Sequence, residues 1–123
     1  GISGKVYGFE INVDVIVKNS QEIQAPIFSA MPVVKEDFAF VVSKDVTALE
    51  MTETIEKSAG ELLESVRLFD VYEGSNIAEG MKSMAFSLRF RAPDRTLNSE
   101  EIAKLRGQIV SAIEKQHQGS LRA

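Results

Sequence analysis

The residues of this sequence whose chemistry could serve a binding site are polar, basic and aromatic side chains in the second half of the chain. Tyr72 could stack on a flat ring such as a nucleobase, and Asp70, two residues earlier, could accept hydrogen bonds from base amino or imino groups. Ser83 could donate a hydrogen bond to a base or a phosphate, and an arginine such as Arg122 donates bidentately and also stacks. The same residue types are common on ordinary solvated strands, so taken alone they leave both interpretations open.

Residues for catalysis or metal binding are much scarcer. The chain has no cysteine and a single histidine, His117, which excludes thiolate sites and His-cluster metal sites. It contains no GxGxxG or Walker sequence that would cradle a phosphate. The adjacent carboxylates Glu100 and Glu101 are better explained as a helix start than as an acid–base pair. We therefore predict no catalytic, cofactor-binding or metal-binding residue in this chain.

Length and composition are those of one globular domain, with 123 residues, 44% hydrophobic and 26% charged. The net charge of −4 disfavours a nucleic-acid partner, but all the arginines lie in residues 65–123. No apolar run is long enough to cross a membrane, and no signal peptide is visible. We expect a cytoplasmic protein with no membrane partner. The first residue is Gly rather than Met, which suggests a piece of a longer chain.

Apolar periodicity divides the chain into two parts. Residues 1–31 predict the end of a preceding module and a linker, with a strand from residue 5 to about Ile11 and then a short helical or irregular turn. Pro26 and Pro32 mark the boundary, and residues 32–123 form the main domain. Its predicted elements are a strand over 35–43, a helix from Thr47 to about Ala59, strands over 63–72 and 81–91, a helix beginning after Asn98, and a short strand in the tail 120–123.

Strand alternation predicts which side chains share a face. The third strand places Met84, Phe86, Leu88 and Phe90 on one face and Ser83, Ala85, Ser87, Arg89 and Arg91 on the other. Unbroken alternation in the second strand groups Val66 and Leu68 with Asp70 and Tyr72, and groups Arg67 and Phe69 with Val71. Tyr72 is then the only aromatic residue on the exposed face, and the phenylalanines lie on the helix side. In the helices, Leu49, Thr52, Ile55 and Ala59 are expected to face inward, and Gly107 to allow close packing against the sheet.

The order strand, helix, strand, strand, helix, strand predicts an α+β, ferredoxin-like βαββαβ sandwich. Two helices would cover one face of a four-stranded antiparallel sheet, and the short N-terminal extension would precede it. The other face would stay open and carry Asp70, Tyr72, Ser83 and Arg122.

Four segments together resemble the ferredoxin-fold anticodon-binding domain that closes the β subunit of bacterial phenylalanine–tRNA ligase. They are residues 32–42 (PVVKEDFAFVV), 65–74 (SVRLFDVYEG), 80–86 (GMKSMAF) and 90–97 (FRAPDRTL). Residues 4–10 (GKVYGFE) resemble the end of the module before it.

The resemblance implies a function in tRNA recognition. Tyr72 would stack on an anticodon base, Asp70 and Ser83 would contact base edges, and Arg122 would join them. The implied partners are the anticodon stem-loop of phenylalanine tRNA, the rest of the β subunit and the α subunit. ATP and magnesium are implied for the whole ligase, which attaches phenylalanine to its tRNA, and no cofactor for this fragment.

Three alternatives share the same topology. A ligand-binding or subunit-docking module would need an apolar, self-complementary sheet surface, which the polar set disfavours. An acyl-phosphate hydrolase would need an anion-binding loop after the first strand, where residues 42–46 (VSKDV) offer one cation and no glycine. An RNA-binding domain with a different target also fits.

Overall fold

The computed structural model describes residues 3–22 and 30–122, and its elements from residue 34 onward follow the predicted order. Pro26, one of the two residues predicted to mark the boundary, lies outside the described residues. The elements are helix α1 (Val13–Asn19), strand β1 (Val34–Ser43), helix α2 (Ala48–Ala59), strand β2 (Leu63–Tyr72), strand β3 (Met81–Phe90), helix α3 (Ser99–His117) and strand β4 (Ser120–Leu121), with one 3-10 turn (Gly60–Leu62) between α2 and β2.

Both long helices begin at capping boxes, at the two starts that the sequence predicts. The Thr47 side chain accepts a hydrogen bond from the Glu50 backbone N–H, and the Glu50 carboxylate accepts one from the Thr47 backbone N–H. Asn98 and Glu101 form the same reciprocal pair at the start of α3. Each box satisfies backbone donors that the first helical turn leaves without a partner, so both helix starts are determined locally.

The four strands form one antiparallel sheet in the order β2-β3-β1-β4. One face carries the alternating apolar residues of β1 and β3, including Phe38, Phe40 and Phe86, and both helices pack on it through residues such as Ile55 and Ile109. This arrangement confirms the predicted α+β, ferredoxin-like sandwich, with an open second face.

The N-terminal strand prediction is wrong. Residues 5–12 form neither strand nor helix, and the helical turn expected after them is α1. Tyr7 and Phe9 are largely exposed. A strand requires a neighbouring strand to pair its backbone groups, and no described strand pairs with this segment. Its alternating pattern alone is therefore not enough to form a strand.

Two expectations for the helices are also wrong. Leu49 is 67% exposed, because the buried stripe of α2 is formed by Met51, Thr54, Ile55 and Ala59. Gly107 does not pack closely against the sheet: it is exposed, and a Cβ added there would meet no atom within 4 Å.

A β-bulge in β2 changes the predicted faces of that strand. Leu68 pairs with Phe86 and Asp70 with Ala85, so Phe69 has no partner across β3. Arg67 lies opposite Ser87, and Tyr72 lies opposite Ser83.

The paired residues on β3 show which way each β2 side chain points, because directly opposite residues share a face. Phe86 is in the core, and Leu68 packs against it together with Val66, in contrast to the prediction that they face outward. Arg67 and Phe69 lie on the open face with Asp70 and Tyr72, in contrast to the prediction that they face the helices.

Candidate nucleic-acid interface

The open face is built from four rows of residues that run across the sheet. Strand pairing defines each row, and the backbone N–H of Arg122 donates to the Ala39 carbonyl at 2.7 Å, which extends one row past the end of β4. The rows are Ser65–Arg89–Lys35, Arg67–Ser87–Asp37, Asp70–Ala85–Ala39–Arg122 and Tyr72–Ser83–Val41–Ser120.

The four predicted site residues lie in two adjacent rows. Asp70 and Arg122 stand at opposite ends of one row, with only the small side chains of Ala85 and Ala39 between them. Tyr72 and Ser83 are direct neighbours in the next row. The structure therefore brings together residues that are distant in the chain, and their role in binding stays a prediction.

Tyr72 and Arg122 are in contact. The guanidinium carbon of Arg122 lies 5.6 Å from the centroid of the Tyr72 ring, a cation–π arrangement. Tyr72 is 38% exposed, and Ser83 beside it is only 4% exposed. A base that stacks on the ring face covered by Arg122 must therefore displace the guanidinium, and a base that contacts Ser83 must come close to the sheet.

Gly74 packs against the other end of the Tyr72 side chain. A Cβ at residue 74 would lie 2.0 Å from the Tyr72 hydroxyl oxygen and 2.2 Å from the ring carbon that bears it. Real Cβ atoms do not approach other atoms so closely. The hydroxyl end of the ring therefore occupies space that exists because residue 74 has no side chain.

Several charges on and around this face are already paired. Glu64 bridges Arg89 and Arg91, with a carboxylate oxygen 3.0 Å from the Nε atom of each. Glu73, next to Tyr72, lies 2.7 Å from the Lys44 ammonium. The hydrogen bond from Lys44 lowers the pKa of Glu73, so this carboxylate is ionised and compensated near neutral pH. Arg67 and Lys35, by contrast, make no ion pair with any residue that the structure describes.

Strand alternation misplaces two residues of this face. It puts Arg67 and Phe69 on the helix side, because the bulge at Phe69 has no counterpart in a strict alternation of polar and apolar residues. Gly74, which follows β2, carries no local signal of its contact with Tyr72. One sequence signal indicates the bulge at Phe69. Unbroken alternation would place the apolar side chains of Val66 and Leu68 in solvent, and one extra residue in β2 returns them to the core while Asp70 and Tyr72 stay outside.

Other kinds of site have little support among the residues described. Within residues 3–22 and 30–122, no group of three or more His, Cys, Asp or Glu side chains could hold a metal ion. No helix in those ranges is long and apolar enough to cross a membrane.

The fold and this face define a ferredoxin-like α+β domain that exposes one side of its sheet, with aromatic and basic side chains on it. The model of the ferredoxin-fold anticodon binding domain matches residues 29–122. The chain belongs to that family.

Curated relatives agree with the family match. The chain is 46% identical over 101 residues, 82% of its length, to the phenylalanine–tRNA ligase beta subunit of Corynebacterium efficiens. It is 42% identical over 122 residues to the beta subunits of Thermobifida fusca and Shouchella clausii, covering 99% and 97% of the chain. The chain spans 12% of the first of these relatives and 15% of the other two.

Proposed function

We propose that the open sheet face binds the anticodon stem-loop of phenylalanine tRNA, and that the chain is the anticodon-recognising part of a phenylalanine–tRNA ligase β subunit. The whole ligase attaches phenylalanine to its tRNA with ATP and magnesium, in the cytoplasm and together with an α subunit. In this proposal the present chain contributes recognition and positioning, and the chemistry occurs elsewhere in the ligase.

The observation that carries the proposal is the cluster of Tyr72, Arg122, Ser83 and Asp70 in two adjacent rows of an uncovered sheet. An exposed ring on a sheet is the usual platform for an unstacked RNA base. An ionised carboxylate such as that of Asp70 accepts hydrogen bonds and donates none, so it favours base edges that present amino or imino groups. Arg122 can meet a phosphate or stack on the same base.

Family membership supports the same conclusion from a different direction. The family is described by anticodon binding, and the relatives compared above are beta subunits of one ligase. The negative net charge of −4 is no obstacle, because the acidic residues are concentrated in residues 1–64 and the arginines in residues 65–123.

The test is a titration of the isotope-labelled chain with the anticodon stem-loop RNA of phenylalanine tRNA and with that of another tRNA. NMR detects weak binding and reports it residue by residue. We expect the cognate RNA to perturb the amides of Tyr72, Ser83 and Arg122, and to bind more tightly than the other RNA. Tyr72→Ala should weaken cognate binding by about 1–3 kcal/mol while the chain stays folded, since the ring is partly exposed.

Leu49→Ala is the matched control, because it removes an exposed apolar side chain from the helix layer. Equal binding of both RNAs, unchanged by Tyr72→Ala, would sink the proposal. Perturbations confined to the helix layer would assign RNA binding to a different surface.

A further inference from the structure

Beside the Tyr72 cluster, the open face has a separate depression. It has a volume of about 390 Å³ and is lined by Lys35, Asp37, Ser65, Arg67, Phe69, Ser87 and Arg89. None of the four residues assigned above to tRNA contact lines it. Three of its side chains are cationic and one is a carboxylate, although the chain as a whole carries a net charge of −4.

Phe69 is the aromatic residue of this depression, and it is 53% exposed. Leaving so large an apolar side chain half in water forgoes about half of its burial energy, which core phenylalanines such as Phe86 realise in full. The bulge places it there, since an unpaired extra residue re-aims its side chain. An exposed ring on an uncovered sheet can stack a nucleobase, and every base offers a face for it.

The cations near Phe69 are suited to a phosphate. Arg67 makes no ion pair or hydrogen bond with any described residue, so its guanidinium can engage a ligand without first losing a partner. Lys35 is likewise unpaired within the described chain, whereas Arg89 is held by Glu64. Asp37 stands in the same row as Arg67, where an ionised carboxylate can accept from a base amino group.

Phe69 stands apart from the Tyr72 cluster along β2. The two residues are three positions apart, which in regular strand is about 10 Å at about 3.3 Å per residue, and the bulge at Phe69 shortens this separation. Asp70 lies between them. RNA modules that read bases on a sheet commonly use two or three aromatic side chains, and Tyr72 alone would be one.

We propose that Phe69, with Arg67, forms a second nucleotide-binding subsite that stacks a base next to the one on Tyr72 and holds its phosphate. The inference rests on the proposed function, because it takes the ligand to be the same RNA strand. It adds to that function a distinct nucleotide and two residues outside the Tyr72 cluster.

The experiment measures affinities of the chain for the anticodon stem-loop RNA and for derivatives in which each loop nucleotide in turn lacks its base. Wild type, Phe69→Ala, Phe69→Tyr, Tyr72→Ala and the control Leu49→Ala are compared. Phe69→Ala should weaken binding of the intact RNA about five- to hundred-fold, and Phe69→Tyr should retain it, because the ring is kept. Thermal unfolding of each variant checks that the sheet is intact.

The base-deletion series identifies the nucleotide. We expect that, for one derivative, loss of the base weakens binding to wild type but leaves the affinity of Phe69→Ala for the RNA unchanged. For a different derivative, loss of the base should leave the affinity of Tyr72→Ala unchanged in the same way. Arg67→Gln should lower the slope of log affinity against log salt by about 0.7 if Arg67 contacts one phosphate of a single strand.

Two outcomes overturn the second subsite while leaving the proposed function standing. In the first, Phe69→Ala binds intact RNA as tightly as wild type and Tyr72→Ala does not. In the second, both variants become insensitive to the same missing base, so the two rings serve one nucleotide. RNA affinity that neither ring affects would overturn the proposed function and the second subsite together.

Discussion

The guanidinium of Arg122 lies over the ring of Tyr72, with its central carbon 5.6 Å from the ring centroid. Arg122 follows the last strand and Tyr72 ends the second, at opposite edges of the sheet order β2-β3-β1-β4. The contact therefore spans the open face. If the proposed function is correct, a base that stacks on the covered face of the Tyr72 ring must displace Arg122, so the two events are coupled.

Replacing Arg122 tests this coupling through salt dependence. Arg122→Ala should weaken binding of the anticodon stem-loop RNA and lower the salt slope by about 0.7 if the guanidinium meets one phosphate. Arg122→Lys keeps the charge but loses the planar fork, so the slope should stay near that of wild type while affinity falls. Lys57→Ala, which removes an exposed charge from α2, is the control and should change neither quantity. If Arg122→Ala binds the RNA as tightly as wild type, Arg122 does not contribute to the site.

A side chain at residue 74 should disturb the Tyr72 ring. The added Cβ of Gly74→Ala would lie 2.0 Å from the Tyr72 hydroxyl oxygen, so the ring must move. We expect RNA affinity to fall toward that of Tyr72→Ala, and Gly74→Ala to add nothing when combined with Tyr72→Ala. Ser75→Ala, in the same hairpin, is the matched control. Additive losses in the double variant would show that Gly74 acts independently of the ring.

The two capping boxes should make stability depend on pH in the acid range. The backbone hydrogen bond from Thr47 lowers the pKa of Glu50, and that from Asn98 lowers the pKa of Glu101, from the ordinary value of 4.5. A carboxyl with a lowered folded-state pKa stabilises the fold above its unfolded pKa, and this contribution is lost as the pH falls through the folded value. Stability should therefore decline as the pH drops below about 4.5.

Urea unfolding midpoints between pH 7 and pH 3 measure this effect. In the double variant with Glu50→Gln and Glu101→Gln, the amide can still accept the backbone hydrogen bond but no longer titrates. Its stability should decline less steeply with acid than that of wild type. Parallel pH profiles would mean that other carboxyl groups dominate acid unfolding.

Gly107 offers a gain in stability. It lies in the middle of α3, is exposed, and an added Cβ would meet nothing within 4 Å. Gly107→Ala should raise the free energy of unfolding by about 1 kcal/mol, since alanine loses less backbone entropy in a helix. Gly60→Ala is the opposite case, because Gly60 has φ +65° and alanine is strained there. If both substitutions change the free energy of unfolding equally, backbone conformation does not explain the difference expected between the two glycines.

Local sequence signals predict the elements of this domain well. The capping boxes at Thr47 and Asn98 specify both helix starts through contacts within four residues, which need no tertiary partner. Alternation in β3 specifies the core face because that strand pairs with β1 without interruption from Met81 to Phe90, and the bulge opposite it belongs to β2. The order of elements then predicts the ferredoxin-like sandwich, in which two helices cover one face of a four-stranded sheet.

Local signals fail where an element depends on a distant neighbour. The predicted strand near Ile11 has no described strand to pair with, and the inward residues of α2 depend on how the helix rests on the sheet, which leaves Leu49 in solvent. The resemblance and strand alternation predict the site residues Asp70, Tyr72, Ser83 and Arg122. Alternation misplaces Arg67 and Phe69, because it takes no account of the extra residue in the bulge.

By itself, then, the sequence determined the α+β order, the helix starts and the open face that carries Asp70, Tyr72, Ser83 and Arg122. Only the tertiary structure decided that Phe69 bulges out of β2, that Gly74 makes room for the Tyr72 ring and that Arg122 covers it. The physical reason is that helix caps and strand alternation arise from neighbours in the chain. Register slips and contacts across a sheet arise from pairing between strands, which no single segment encodes.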